Sequence, residues 1–139
     1  MSSLRNQSGA QDCILPVPAS DLRTGLSVAD LKRSFLDTLF CTLGRVPSAA
    51  TPHDLYTALA LAIRDRVLKQ GVQTLGTYQK RDSRMVAYLS AEFLPGPHLA
   101  NNLLNLGIWE QTRQAVEELG CNLDFLREQE EEPGLGNGG

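Results

Sequence analysis

Nothing in this chain approaches the run of about twenty apolar residues that a membrane-spanning helix needs. Its opening residues, MSSLRNQSGAQD, also lack the apolar centre of a secretory signal. Basic charge is short: 13 Lys and Arg against 16 Asp and Glu leave a formal net charge of −3. That excludes the basic patch of a nucleic-acid surface. Cysteine is sparse, and Cys13, Cys41 and Cys121 are odd in number and far apart. Such usage speaks against a disulfide framework and fits reduced, buried thiols in a cytoplasmic protein. No CxxC, HExxH or carboxylate cluster has ligand spacing, so no metal is expected. The two histidines, His53 and His98, have no Ser, Cys or acidic partner placed for a triad, and no catalytic residue is assigned.

What remains is 139 residues, 42% apolar and 21% charged, enough for one soluble domain with a modest core. Residues 1–25, rich in Ser, Asn, Gln and Pro, read as a flexible leader, although Ile14 to Pro18 can lie extended along the body. Ser2, Ser3 and Ser8 sit in no regulatory motif. Ser27 with Asp30 predicts a capped helix whose inner face is Val28, Leu31, Phe35, Leu39 and Leu43, ended by Gly44. Thr51, Pro52 and Asp54 punctuate the start of a second helix. Its stripe is Leu55, Leu59, Ala62, Ile63 and Val67; Leu61 and Leu68 lie off it, which predicts cover on more than one side. Arg64, Asp65 and Arg66 read as a solvated face. Gly71 ends this helix or bends it, since Val72 to Lys80 keeps helical composition. Further helices are expected from His98 to Leu106, from Ile108 to Leu119, and from Leu123 to about Glu130 after an Asn122 cap. Glu128 and Glu130 to Glu132 read as solvent-facing.

The stretch that organises the chain is MVAYLSAEFLPGPHLANNLLNLG, Met85 to Gly107. Five apolar residues, Met85 to Leu89, suit a strand covered on both faces. Ser90, Ala91 and Glu92 then emerge where, in open α/β sheets, ligands sit. Pro95, Gly96 and Pro97 block any regular element. The chain closes on GLGNGG, Gly134 to Gly139, a loop of the kind whose backbone N–H groups meet phosphate oxygens at a helix start. One strand without neighbours and a phosphate loop without its helix predict an unfinished domain.

YLSAEFL, Gly96, NNLLNLG and the later GLGNGG resemble the amino-terminal part of the α-glucan (glycogen, starch or maltodextrin) phosphorylases, and the likeness reaches back to about Leu22. The resemblance implies an α/β architecture with two Rossmann-like domains of the GT-B kind. Of this architecture the chain supplies an incomplete amino-terminal domain, residues 26–139, truncated at the Gly-rich loop and mainly α-helical with one or two strands. It further implies a cytoplasmic enzyme, homodimeric when whole, that cleaves terminal α-1,4-glucosyl units with inorganic phosphate to give α-glucose 1-phosphate. Pyridoxal 5′-phosphate would be its cofactor, on a lysine that this chain lacks, so the chain alone is expected to be inactive.

Carried over by position, Gly138 and Gly139 match the pair whose backbone approaches the glucosyl unit and the phosphate, and Asn137 matches a polar member of that loop. Glu92 matches the acidic residue bordering the glucose pocket. It can equally accept from amides of the Gly-rich loop, and the two roles are compatible. Leu94 takes the place of a tyrosine that touches the cofactor in animal enzymes. Pro97 stands for an arginine, Pro133 for a small residue, and Gln79 for the tyrosine that stacks on the nucleotide in AMP-activated forms. His53 reads as a surface residue, while His98 can cap its helix or line the cleft. Asn101, Asn102 and Asn105 suit either a polar contact or plain exposure. Two other readings stay in play: a non-catalytic helical interaction module, and a nucleotide-binding P-loop, for which the loop lacks the Gly-Lys-Ser/Thr ending.

Overall fold

Helix punctuation written in the sequence decides where the elements begin. The computed structural model describes residues 23–136. Helix α1, Val28–Asp37, starts at Ser27, whose hydroxyl accepts from the Asp30 N–H at 3.2 Å, while the Asp30 carboxylate accepts from the Ser27 N–H at 3.4 Å. The α1 helix stops short of the Gly44 predicted to end it. It widens into a π-turn, Thr38–Thr42, and Gly44 then reverses the chain at φ 63°. The N–H groups of Gly44 and Arg45 return to the Phe40 and Leu39 carbonyls, which closes the end.

Helix α2, Pro52–Lys80, carries a second reciprocal cap: the Thr51 hydroxyl accepts from the Asp54 N–H at 3.1 Å, and Asp54 accepts from the Thr51 N–H at 2.9 Å. These bonds from Thr51, with Arg45 beside it, hold the Asp54 carboxyl below its ordinary pKa. A group held low contributes stability above its unfolded pKa and loses it as pH falls through the folded value. Thr51→Ala is expected to lower unfolding free energy by about 1 kcal/mol and to flatten this acid-side loss. Urea titrations of both chains across the carboxylate range check it. Gly71 neither ends nor breaks α2, and Gly76 after it is helical too; each helical glycine costs only about 1 kcal/mol.

Three short helices complete the bundle: α3 (Leu99–Asn105), α4 (Trp109–Glu117) and α5 (Leu123–Arg127). Gly107 at φ 67° and Gly120 at φ 79° make the breaks between them. Asn122 caps α5 by accepting from the Phe125 N–H at 2.9 Å. Leu31 and Phe35 of α1, Ile63 of α2, Leu103 of α3, Val116 of α4 and Leu126 of α5 form one buried cluster. Arg127 covers Trp109 with its guanidinium 5.1 Å from the ring.

The structure corrects four expectations. Met85 to Leu89 form no strand; Val86 is 97% and Leu89 91% exposed. An apolar run becomes a strand only against a neighbour, and no strand flanks it among the described residues. The β structure of the described residues is one isolated antiparallel bridge, Phe93 to Leu135, so the segment is mainly helical. Next, α2 is not covered along its length: its buried residues end at Arg66, Leu61 is half-buried, and Leu68, Val72 and Leu75 are exposed. Arg66 itself leaves the expected solvated face and is 2% exposed. Finally, Cys41 is exposed, Cys121 is half-buried with burial raising its thiol pKa, and Cys13 lies outside the described residues. No helix among the described residues is long and apolar enough to cross a membrane.

Candidate functional site

Two segments run antiparallel beside the helical bundle, one from Glu92 to His98 and the other from Glu130 to Gly136. Ser90 prepares the first. Its hydroxyl accepts from the Glu92 N–H at 3.1 Å and donates to the Glu92 carbonyl at 2.9 Å, fixing the backbone there. Phe93 and Leu135 then exchange both backbone bonds, Phe93 N–H to Leu135 carbonyl at 2.9 Å and the reverse at 2.7 Å. Tyr88 meets the Phe93 ring edge-on, with centroids 6.3 Å apart.

The closest approach follows one residue later. Gly136 takes φ 81°, and a Cβ there would lie 2.6 Å from the Ala91 carbonyl oxygen and 2.7 Å from Glu92 Cγ. Only glycine lets the loop backbone rest on Glu92. Gly134 lies against Leu94, where a Cβ would sit 3.7 Å from Leu94 Cδ1, an ordinary contact. Thus Glu92, Leu94 and the start of the Gly-rich loop share one place. Asn137, Gly138 and Gly139 lie outside the described residues. The Glu92 side chain is exposed and receives no hydrogen bond from another described residue.

Sequence reasoning missed Glu130. Its carboxylate does not face solvent idly: Oε1 accepts from the His98 N–H at 2.7 Å and the Leu99 N–H at 3.1 Å. The bond spans about thirty residues of chain, so no local spacing announces it. His98 stands at the first position before α3 without a side-chain capping bond. Together with Tyr56, Arg64, Asn102 and Glu130 it borders a cavity of about 140 Å³. Burial, then Glu130 and Glu131, raises the Tyr56 hydroxyl pKa. His53 is exposed, as expected; Asn101 and Asn105 are also exposed and Asn102 is half-buried. No group of three or more metal-ligating side chains gathers among the described residues.

Chemically, a single carboxylate beside a glycine loop can hold sugar hydroxyls and present amides to an anion. It holds no nucleophile and base in contact.

No family model matches the chain. Three relatives, each named glycogen phosphorylase, do. The chain is 57% identical over 123 residues to that of Synechocystis sp., which covers 88% of the chain and 14% of the relative. It is 42% identical over 114 residues to that of Chlamydia pneumoniae, 82% of the chain and 14% of the relative. Against the brain form of Homo sapiens the identity is 40% over 112 residues, 81% of the chain and 13% of the relative. The chain therefore spans only 13–14% of the length of these relatives.

Proposed function

The chain belongs with the glycogen phosphorylases over most of its length, and we propose that it builds one wall of a glucosyl-phosphate site in such an enzyme. The intact enzyme would transfer the terminal α-1,4-linked glucosyl unit of a glucan to inorganic phosphate, breaking the glycosidic C–O bond and forming α-glucose 1-phosphate. Residues 26–139 would belong to the amino-terminal domain of a two-domain, cytoplasmic, homodimeric protein, and residues 1–25 would be a leader whose last part, at Arg23 and Gly25, is tied to α2.

In this reading Glu92 accepts hydrogen bonds from glucose hydroxyls, and Asn137, Gly138 and Gly139 turn their backbone toward phosphate and sugar. The contact of Gly136 with Glu92 carries the proposal, because it joins the carboxylate and the glycine loop with no side chain between them. Pyridoxal 5′-phosphate would supply its phosphate group for proton transfer in the whole enzyme. The residues present do not fit that group: the ribbon contains no lysine, and Leu94 lays hydrocarbon on Gly134. No step through the cofactor is derived from this chain.

The test is a segment exchange. The stretch of the Synechocystis glycogen phosphorylase matched by this chain is replaced with the chain itself, and glucose 1-phosphate formation from glycogen and phosphate is followed. The hybrid is expected to be active, and the isolated chain inactive. A hybrid that folds, binds its cofactor and forms no product would overturn the proposal. The exposed apolar row Leu68, Val72 and Leu75 on α2 favours a second reading, a helical interaction module. That reading predicts the inactive hybrid.

A further inference from the structure

Four contacts between the two segments fit one antiparallel register. Gly136 rests on Glu92, Phe93 pairs with Leu135, Leu94 touches Gly134, and Glu130 answers His98. Each step forward on one segment meets one step back on the other. Between the two ends the backbone cannot hold this register. Pro95 faces Pro133 in it, and Pro97 faces Glu131, so three residues at two of the ladder positions have no N–H to give. No backbone bond joins 94–98 to 130–134. A one-residue slip would turn every side chain of the loop to the other face.

We infer that Glu130 is a positioning residue that sets the register of the Gly-rich loop against Glu92. Its carboxylate replaces the missing ladder bonds with two charge-assisted bonds, to the His98 and Leu99 N–H groups at 2.7 and 3.1 Å. The loop is thereby held at both ends: by the backbone pair at Phe93 and Leu135, and by a side chain at His98. The far end is anchored in the core, since Leu99 is 4% exposed. The geometry stands on its own, whereas its bearing on phosphate and sugar rests on the function proposed above.

Amide hydrogen exchange on the 139-residue chain tests the inference without any substrate. In Glu130→Ala, protection of the Phe93 and Leu135 amides is expected to fall about tenfold or more, the loss of a charged acceptor. Glu130→Gln keeps the shape and one neutral acceptor oxygen and is expected to restore part of that protection. The Leu31, Leu103 and Val116 amides report the core and are expected to stay unchanged in both variants. A Glu131→Gln control is expected to leave Phe93 and Leu135 as they were. Loss of protection confined to His98 and Leu99 would overturn the inference, leaving Glu130 as a cap for α3 alone. An equal effect of Glu131→Gln would overturn it too. Because no turnover is read, an inactive hybrid in the segment exchange has no bearing on this result.

Discussion

Arg66→Ala is expected to lower the unfolding free energy by about 2–4 kcal/mol. Arg66 is 2% exposed, and its guanidinium donates three hydrogen bonds. Its Nε and Nη2 donate to the Gly25 carbonyl at 2.9 and 2.7 Å, and Nη1 donates to the Ala62 carbonyl at 2.7 Å. Burial lowers its pKa, with Asp30 and Asp65 opposing, but the group stays charged at any working pH. Truncation therefore removes three charge-assisted bonds, leaves the Gly25 carbonyl without its partner, and opens a cavity the size of the side chain. Arg66→Lys keeps the charge but loses the planar fork that takes one carbonyl with two nitrogens, and should fall between. Equilibrium urea unfolding reads the difference; a loss below about 0.5 kcal/mol for Arg66→Ala would contradict this account.

Gly136→Ala is expected to break the contact on which the proposed site depends. A positive φ alone costs an alanine about 1–2 kcal/mol. Here the added methyl would also collide with the Ala91 carbonyl oxygen and the Glu92 side chain, and the carbonyl is backbone that cannot swing aside. The loop must retreat, and both Phe93–Leu135 bonds go with it. In the hybrid enzyme a displacement of about 1 Å at the reacting groups is expected to lower kcat/KM by about a hundredfold. Gly134→Ala, with only an ordinary contact to Leu94 and no positive φ, should change activity little. Equal activities of the two variants would show that the approach of Gly136 to Glu92 is incidental.

Caps and stops were legible in the residues because their physics is local. Ser27 with Asp30, Thr51 with Pro52 and Asp54, and Asn122 all sit where short-range hydrogen bonding places them. So do the breaks at Gly107 and Gly120. What escaped reading depends on partners distant in sequence. Met85 to Leu89 have strand composition but no strand beside them among the described residues, and composition without a ladder forms no strand. Arg66 was masked by its charged neighbours Arg64 and Asp65, although its target, Gly25, lies 41 residues away. Glu130 hid within an acidic run for the same reason. The resemblance set Glu92 beside Asn137, Gly138 and Gly139, which lie outside the described residues; the described contact is made by Gly136, which the sequence reading did not single out.

Helix α2 has 29 residues, a span of about 43 Å at 1.5 Å per residue, yet its buried side chains end at Arg66. The remaining fourteen residues, 67–80, span about 21 Å beyond that buried clamp; near it Lys69 still donates to the Thr24 hydroxyl at 3.2 Å, and none of the fourteen is buried. A few degrees of tilt at the clamp become an ångström or more of sweep at Lys80, where the chain leaves for Met85 and Glu92. Whatever seats against Leu68, Val72 and Leu75 thus gains mechanical advantage over the direction in which that segment is paid out. The Arg66 fork is the fulcrum of this arm.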